Sequence, residues 1–178
     1  MKKILSVVIA CILLLGLCAC SSEPTLVGTT PTGSNTGTET PTTSNDKVFK
    51  LGDSVELNDI VIKFVDLTES TGAQFSKPAE GNVFILCEFE ITNNSKEELA
   101  VSSMLSFEAY CDDYACEYSL SALMAKGNKD QLDGSVAAGK KMKGVIGYEV
   151  PTDWKELEIQ FTPDILSTDK IVFVTTNN

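Results

Sequence analysis

From Lys47 onward the chain alternates apolar and polar residues with a period of two, the pattern of strands that bury one face. In VFILCEFEIT, residues Val83, Ile85, Cys87, Phe89 and Ile91 share one face and Glu88 and Glu90 the other. In KMKGVIGYEVP, Met142, Ile146, Tyr148 and Val150 oppose Lys143, Val145 and Glu149. IVIKFVDL, LEIQF and KIVFV read as further strands. Turn residues punctuate them at Gly52-Asp53, Asn58-Asp59, Asn93-Asn94, Asp133-Gly134, Gly139 and Pro151. Several short strands at this spacing predict an all-β, antiparallel two-sheet sandwich. A helix fits only within 119–131, where Gly127-Asn128 would interrupt it. No internal repeat is present.

The first 46 residues follow another pattern. Lys2 and Lys3 precede an apolar run from Ile4 to Leu17, and Ala19 is a small residue before a cut. Residues 1–19 therefore read as an export signal, too short for a transmembrane helix, which needs about 20 residues. Leu17-Cys18-Ala19-Cys20 resembles the lipobox of bacterial lipoproteins. That resemblance implies cleavage before Cys20 and its acylation, since Ala19 precedes Cys20 and Leu17 lies three before it. Cys18 fits worse, because bulky Leu17 would fill the small position. The alternative is a plain signal with cysteines by chance. An anchor of two or more acyl chains would hold stably where one gives marginal binding. Membrane contact is thus expected through lipid, on the extracellular face.

Residues 20–46 are the expected lipidated cysteine and a Thr/Ser/Gly/Pro-rich linker with little to bury, predicted disordered. As a coil its 26 residues after Cys20 would span roughly 28 Å. Glycosylation of its threonines is possible in principle and unspecified by sequence. Residues 47–178 suffice for one domain core. The formal charge is −11, and removal of Lys2 and Lys3 with the signal takes it to −13. The acidity suits solubility and stand-off from an anionic surface.

The order of motifs in 47–178 resembles the bacterial domain of unknown function family 4352, related to a secreted mycobacterial antigen. It runs from Gly52-Asp53-Ser54-Val55 and Asn58, through Asn93-Asn94-Ser95, Phe107 and Asp112-Asp113-Tyr114. Gly139, Gly144, Tyr148-Glu149-Val150-Pro151, Trp154 and LEIQF complete it. The resemblance implies an immunoglobulin-like sandwich and a secreted or surface location. It carries over no catalytic residue.

SFEAYCDDYACEYSL reads as a hairpin. With Asp113-Tyr114 as a two-residue turn, Cys111 faces Cys116, Ala109 faces Tyr118 and Phe107 faces Leu120, all on one apolar face. In that register a Cys111–Cys116 disulfide is expected, the alternative being two reduced thiols. The CxxxxC spacing and the lack of an adjacent base argue against a redox pair. Cys87 reads as a small buried hydrophobe, with pairing to Cys111 or Cys116 left open.

The composition narrows the chemistry. There is no His, and all 14 basic residues are Lys. Histidine-activated nucleophiles and His–zinc sites are therefore excluded, and an acidic, Arg-free chain lacks the footprint of a nucleic-acid binder. No metal or cofactor is expected. Asp112 and Asp113 could contribute calcium ligands, although aspartate is ordinary in turns. Glu88/Glu90 and Glu156/Glu158 are paired carboxylates that a hydrolase could use, but they alternate as solvated strand faces do. Lys140-Lys141-x-Lys143 could meet an anionic polymer, or be a solvated turn. Asn93-Asn94-Ser95 matches a glycosylation sequon. Tyr110, Asp112, Asp113 and Tyr114 combine aromatic and acidic groups near a loop tip and form the candidate partner contact. The reading is a monomeric, non-enzymatic binding or accessory module of the cell envelope, with an envelope protein or polymer as partner. The alternatives are a structural or stress-related envelope component and a small carboxylate-dependent hydrolase.

Overall fold

The computed structural model describes residues 22–30, 47–125, 127, 130–164 and 166–177. The expected signal 1–19, Cys20, and linker residues 21 and 31–46 lie outside the described residues. In chain order the elements are β1 (Thr25–Thr29), β2 (Val48–Phe49), β3 (Asp53–Leu57), β4 (Ile60–Ser70), β5 (Asn82–Asn93) and β6 (Leu99–Val101). Then follow β7 (Phe107–Cys111), β8 (Tyr114–Cys116), helix α1 (Leu120–Ala125), β9 (Gly134–Val136), β10 (Lys141–Pro151), β11 (Glu156–Phe161) and β12 (Ile171–Thr176). One sheet runs β1-β3-β4-β5-β10, all antiparallel. The second runs β2-β12-β11-β7-β8, antiparallel except where β2 lies parallel to β12. A short β6–β9 ribbon stands beside them. The two-sheet β-sandwich expected from the alternation is the fold, in line with the immunoglobulin-like sandwich that the family resemblance implies.

The core sits between the sheets. Phe64 stacks on Phe89 at 4.7 Å within the first sheet. Phe89 meets Phe107 and Phe173 of the second at 5.3 and 5.9 Å. Helix α1 covers the outer face of the first sheet, packing Ala122 and Leu123 on Phe84, Leu86 and Val145. It lies that close because β10 carries Gly147: a Cβ there would come within 2.7 Å of the Ala122 Cβ. Gly144 plays the same part for the 130–132 segment, whose backbone a Cβ would approach to 2.7 Å.

The two ends of the sandwich differ. The Asn58-Asp59 turn, the end of β5 at Asn93 and the Gly139 turn form one pole. Asn93 is fully buried there. Its amide donates to the Glu97 and Val136 carbonyls at 2.7 and 2.8 Å, and its oxygen accepts from Ser95. The sequon asparagine is therefore a structural clamp with no free amide. The other pole carries loop 71–81, Pro151 opposite Asn82, and the β7–β8 turn. Trp154 Nε1 donates to Glu69 Oε1 at 2.7 Å across this pole.

The linker expectation needs one correction. Thr25–Thr29, which composition places in a disordered tract, is an edge strand on β3, with Thr25 opposite Glu56 and Thr29 opposite Asp53. Thr29 Oγ1 donates to Asp53 Oδ1 at 2.8 Å, and Lys63 Nζ donates to Thr30 Oγ1 at 2.7 Å. The strand is exposed throughout, so backbone pairing and hydroxyl contacts hold it rather than burial. It runs away from the first pole, which places Thr25 at the end of the sandwich opposite the β7–β8 turn.

Candidate functional site, the hairpin pole

The hairpin turns one residue earlier than its apolar pattern predicts. Cys111 pairs with Tyr114, Tyr110 with Ala115, and Ala109 with Cys116, leaving Asp112-Asp113 as the two-residue turn. Both turn residues have positive φ, 48° and 70°, as a hairpin turn matched to strand twist requires. Aspartate tolerates that region far better than tyrosine. Asp112 is also fixed by the neighbouring strand. Its Oδ1 accepts from the Glu156 and Lys155 backbone N–H groups at 2.9 and 3.1 Å, and Oδ2 from Lys155 at 3.2 Å.

Asp112 is thus a structural acceptor. Asp112→Ala should lower stability by about 2 kcal/mol, since it removes charge-assisted bonds worth about 1.5–3 kcal/mol and leaves alanine at positive φ. Asp113→Asn should change it by less than about 0.5 kcal/mol. Thermal unfolding, with amide exchange at Lys155 and Glu156, checks both.

The register change also removes the expected disulfide. Cys111 and Cys116 are free thiols, as is Cys87. Cys116 now stands diagonal to Cys111, and diagonal neighbours lie roughly 7–8 Å apart at Cα, at or beyond disulfide reach. The Cys116 thiol donates to the Tyr114 carbonyl at 3.7 Å. Burial, with Cys116 and Asp112 nearby, pushes the Cys111 thiol up to about 12. Burial likewise raises Cys116, and holds Cys87 far above the usual thiol range with help from Asp66 and Cys116. None of the three is an activated nucleophile.

Of the four candidate contact residues, Asp112, Asp113 and Tyr114 come together at the tip. Tyr110 does not join them: two strand positions of opposite parity put it on the other face of the sheet from Tyr114. Tyr114 is 79% exposed and borders a cavity of about 320 Å³ with Glu117, Glu149, Val150 and Pro151. Its walls are acidic and apolar, with no lysine. At the opposite pole a cavity of about 590 Å³ is lined by Glu97, Glu98, Leu99, Leu105 and Asp164 among others.

The other candidate groups are engaged elsewhere. Lys143 Nζ pairs with Glu88 Oε1 at 2.8 Å and Lys141 Nζ with Glu90 Oε1 at 2.9 Å. Two of the clustered lysines and one carboxylate pair therefore neutralise each other across β5 and β10. Glu158 accepts from Gln160. Among the described residues no group of three or more Cys, Asp or Glu could hold a metal ion, and no helix is long and apolar enough to cross a membrane. Sequence reading also missed residues. Met104 and Leu105 are exposed, although no alternation marks them. Tyr118 and Tyr148 are buried at their hydroxyls, which make no hydrogen bond. For Tyr148 the signal was available, a phenol on the apolar face of β10.

The profile of a family described as "Domain of unknown function (DUF4352)" matches residues 49–171. The chain belongs to the DUF4352 family. Two solved structures resemble this DUF4352 protein. One is the Bacillus subtilis protein YcdA, classed as a lipoprotein, with a TM-score of 0.57 at 18% identity over 67% of this chain. The match spans 37% of YcdA, well under half its length. The other is the YjhA protein of Bacillus subtilis, with a TM-score of 0.58 at 15% identity over 71% of this chain and 98% of that one. At these identities the likeness is one of fold. No curated protein matches the chain.

Proposed function

We propose that this DUF4352 protein is a lipid-anchored, non-enzymatic binding module of the cell envelope that offers its hairpin pole to another envelope component. The observation that carries the reading is the opposition of the two poles. The chain meets the sandwich at Thr25, five residues after Cys20, a span of at most about 18 Å. With Cys20 acylated, that end faces the bilayer. Asp113 and the exposed Tyr114 then project from the far end, where an aromatic beside a small acidic cavity suits recognition. YcdA, classed as a lipoprotein, has the same fold, which agrees with the lipobox.

The test is cross-linking of the full-length protein on living cells, followed by mass spectrometry of captured partners. A Tyr114→Ala/Asp113→Asn double variant should keep its thermal midpoint within about 2 °C, the effect of a surface change, and lose the specific adducts. Unchanged adducts would favour the second reading, a structural envelope component with no dedicated ligand.

A further inference from the structure

A second cavity, of about 540 Å³, opens beside the hairpin. It arises where the chain changes sheets. β8 pairs with β7 only from Ala109 to Cys111. Past Cys116 the chain leaves the second sheet, and Tyr118 bridges Tyr148 on the outer edge of β10. The start of β7 is left without a neighbour on that side, and the gap reaches the core. Phe107, Tyr110, Tyr118 and Tyr148 line it with Glu108 and Glu117, and Met104 stands at its side.

Three observations point to an occupant. Tyr148 is the one buried tyrosine among the described residues, only 2% exposed, where seven other buried rings are phenylalanine. Its hydroxyl makes no hydrogen bond. A buried hydroxyl without a partner destabilises a fold, and phenylalanine would fill the same space without that penalty. The Tyr118 hydroxyl is buried and unbonded as well. Ser103, beside it in the lining, has its own proton committed to Asp133 Oδ2 at 2.7 Å. Finally, the charged residues of the lining are both glutamates, with no lysine. Aromatic walls, spare phenolic lone pairs and negative charge complement a cation that carries N–H donors and an apolar stem. The side is free for access, since Met104 is 69% exposed.

We propose that this cleft binds an alkylammonium group, from either a free amine or the lysine side chain of a peptide. The cleft shares Ala115, Cys116 and Glu117 with the cavity at the hairpin tip, but the proposal does not depend on a macromolecular partner there.

The test uses the purified exported chain, with n-butylammonium and Nα-acetyl-lysine amide as probes and butyrate and tetramethylammonium as controls. Both ammonium probes should bind, and tighter binding of the lysine amide would identify a peptide source. Tyr148→Phe should raise the thermal midpoint of the free protein and weaken probe binding about tenfold or more, the loss of a hydrogen bond to a charged group. Glu117→Gln should weaken binding and flatten its salt dependence without altering the midpoint. The proposal is overturned if neither ammonium probe binds or if butyrate or tetramethylammonium binds as well. It also fails if Tyr148→Phe leaves affinity intact, or if that variant lowers the midpoint, which would mean the hydroxyl is satisfied within the fold.

Discussion

Phe89→Ala should destabilise the domain by about 3–5 kcal/mol, a large share of the stability of a single domain. Phe89 is fully buried at the centre of β5. Its ring touches Phe64 in its own sheet and Phe107 and Phe173 in the other. Truncation would leave a void at the junction of both sheets. These strands are tied into their ladders on either side, so the surroundings would relax only in part. Urea unfolding measures the effect, with Phe75→Ala as control. Phe75 is 95% exposed, and its loss should change stability by less than about 0.5 kcal/mol. Equal effects at the two positions would mean that the sheets are not packed through the phenylalanine cluster.

A second large effect is expected in alkali. Burial raises Cys87, Cys111 and Cys116, and also Tyr118 and Tyr148. Unfolded thiols ionise near pH 8.5, while the folded protein keeps its thiols protonated. Above that pH the native state holds more protons than the unfolded state, so stability falls as pH rises. Below about pH 8 these groups contribute no slope. Each thiol held protonated gives about 1.4 kcal/mol per pH unit. Cys87 and Cys111 together therefore give about 3 kcal/mol per unit between roughly pH 9 and the folded value of about 12 at Cys111. Chemical unfolding at pH 7 to 10.5 should show this decline. A Cys87→Ala/Cys111→Ala variant, less stable at pH 7, should lose most of the slope. An unchanged slope would show that these thiols are not what the alkaline limb reports.

Much of the fold was legible because strand periodicity is a local signal. β5 and β10 alternate over more than ten residues, and their ladder pairs Phe89 with Gly144 and Ile85 with Tyr148, as the apolar faces require. Helix α1 falls inside the one segment that could hold it, and ends before Gly127. The hairpin shows where such reasoning stops. Apolar pattern favoured Cys111 opposite Cys116, but the turn's demand for two residues at positive φ outweighed it, moving the turn by one residue and the pairing of Cys111 by two, to Tyr114. The edge strand β1 was hidden for another reason. Thr-Leu-Val is a strand-prone triplet, but averaging over a polar tract concealed it, and its partner β3 lies some 25 residues away. The cleft beside β8 could not be read at all. It exists because the chain leaves one sheet for the other at Glu117, and only the assembled topology specifies that crossing.

The central claim is an exported sandwich held to the membrane through Cys20, with its hairpin pole outward. The most direct measurement is the mass of the amino-terminal peptide of the protein recovered from the membrane fraction, alongside a Cys20→Ala variant. The account predicts a peptide that begins at Cys20 and carries acyl chains, and release of the variant from the membrane. A chain that begins at Met1, or a Cys20→Ala variant that stays in the membrane fraction as wild type does, would contradict it.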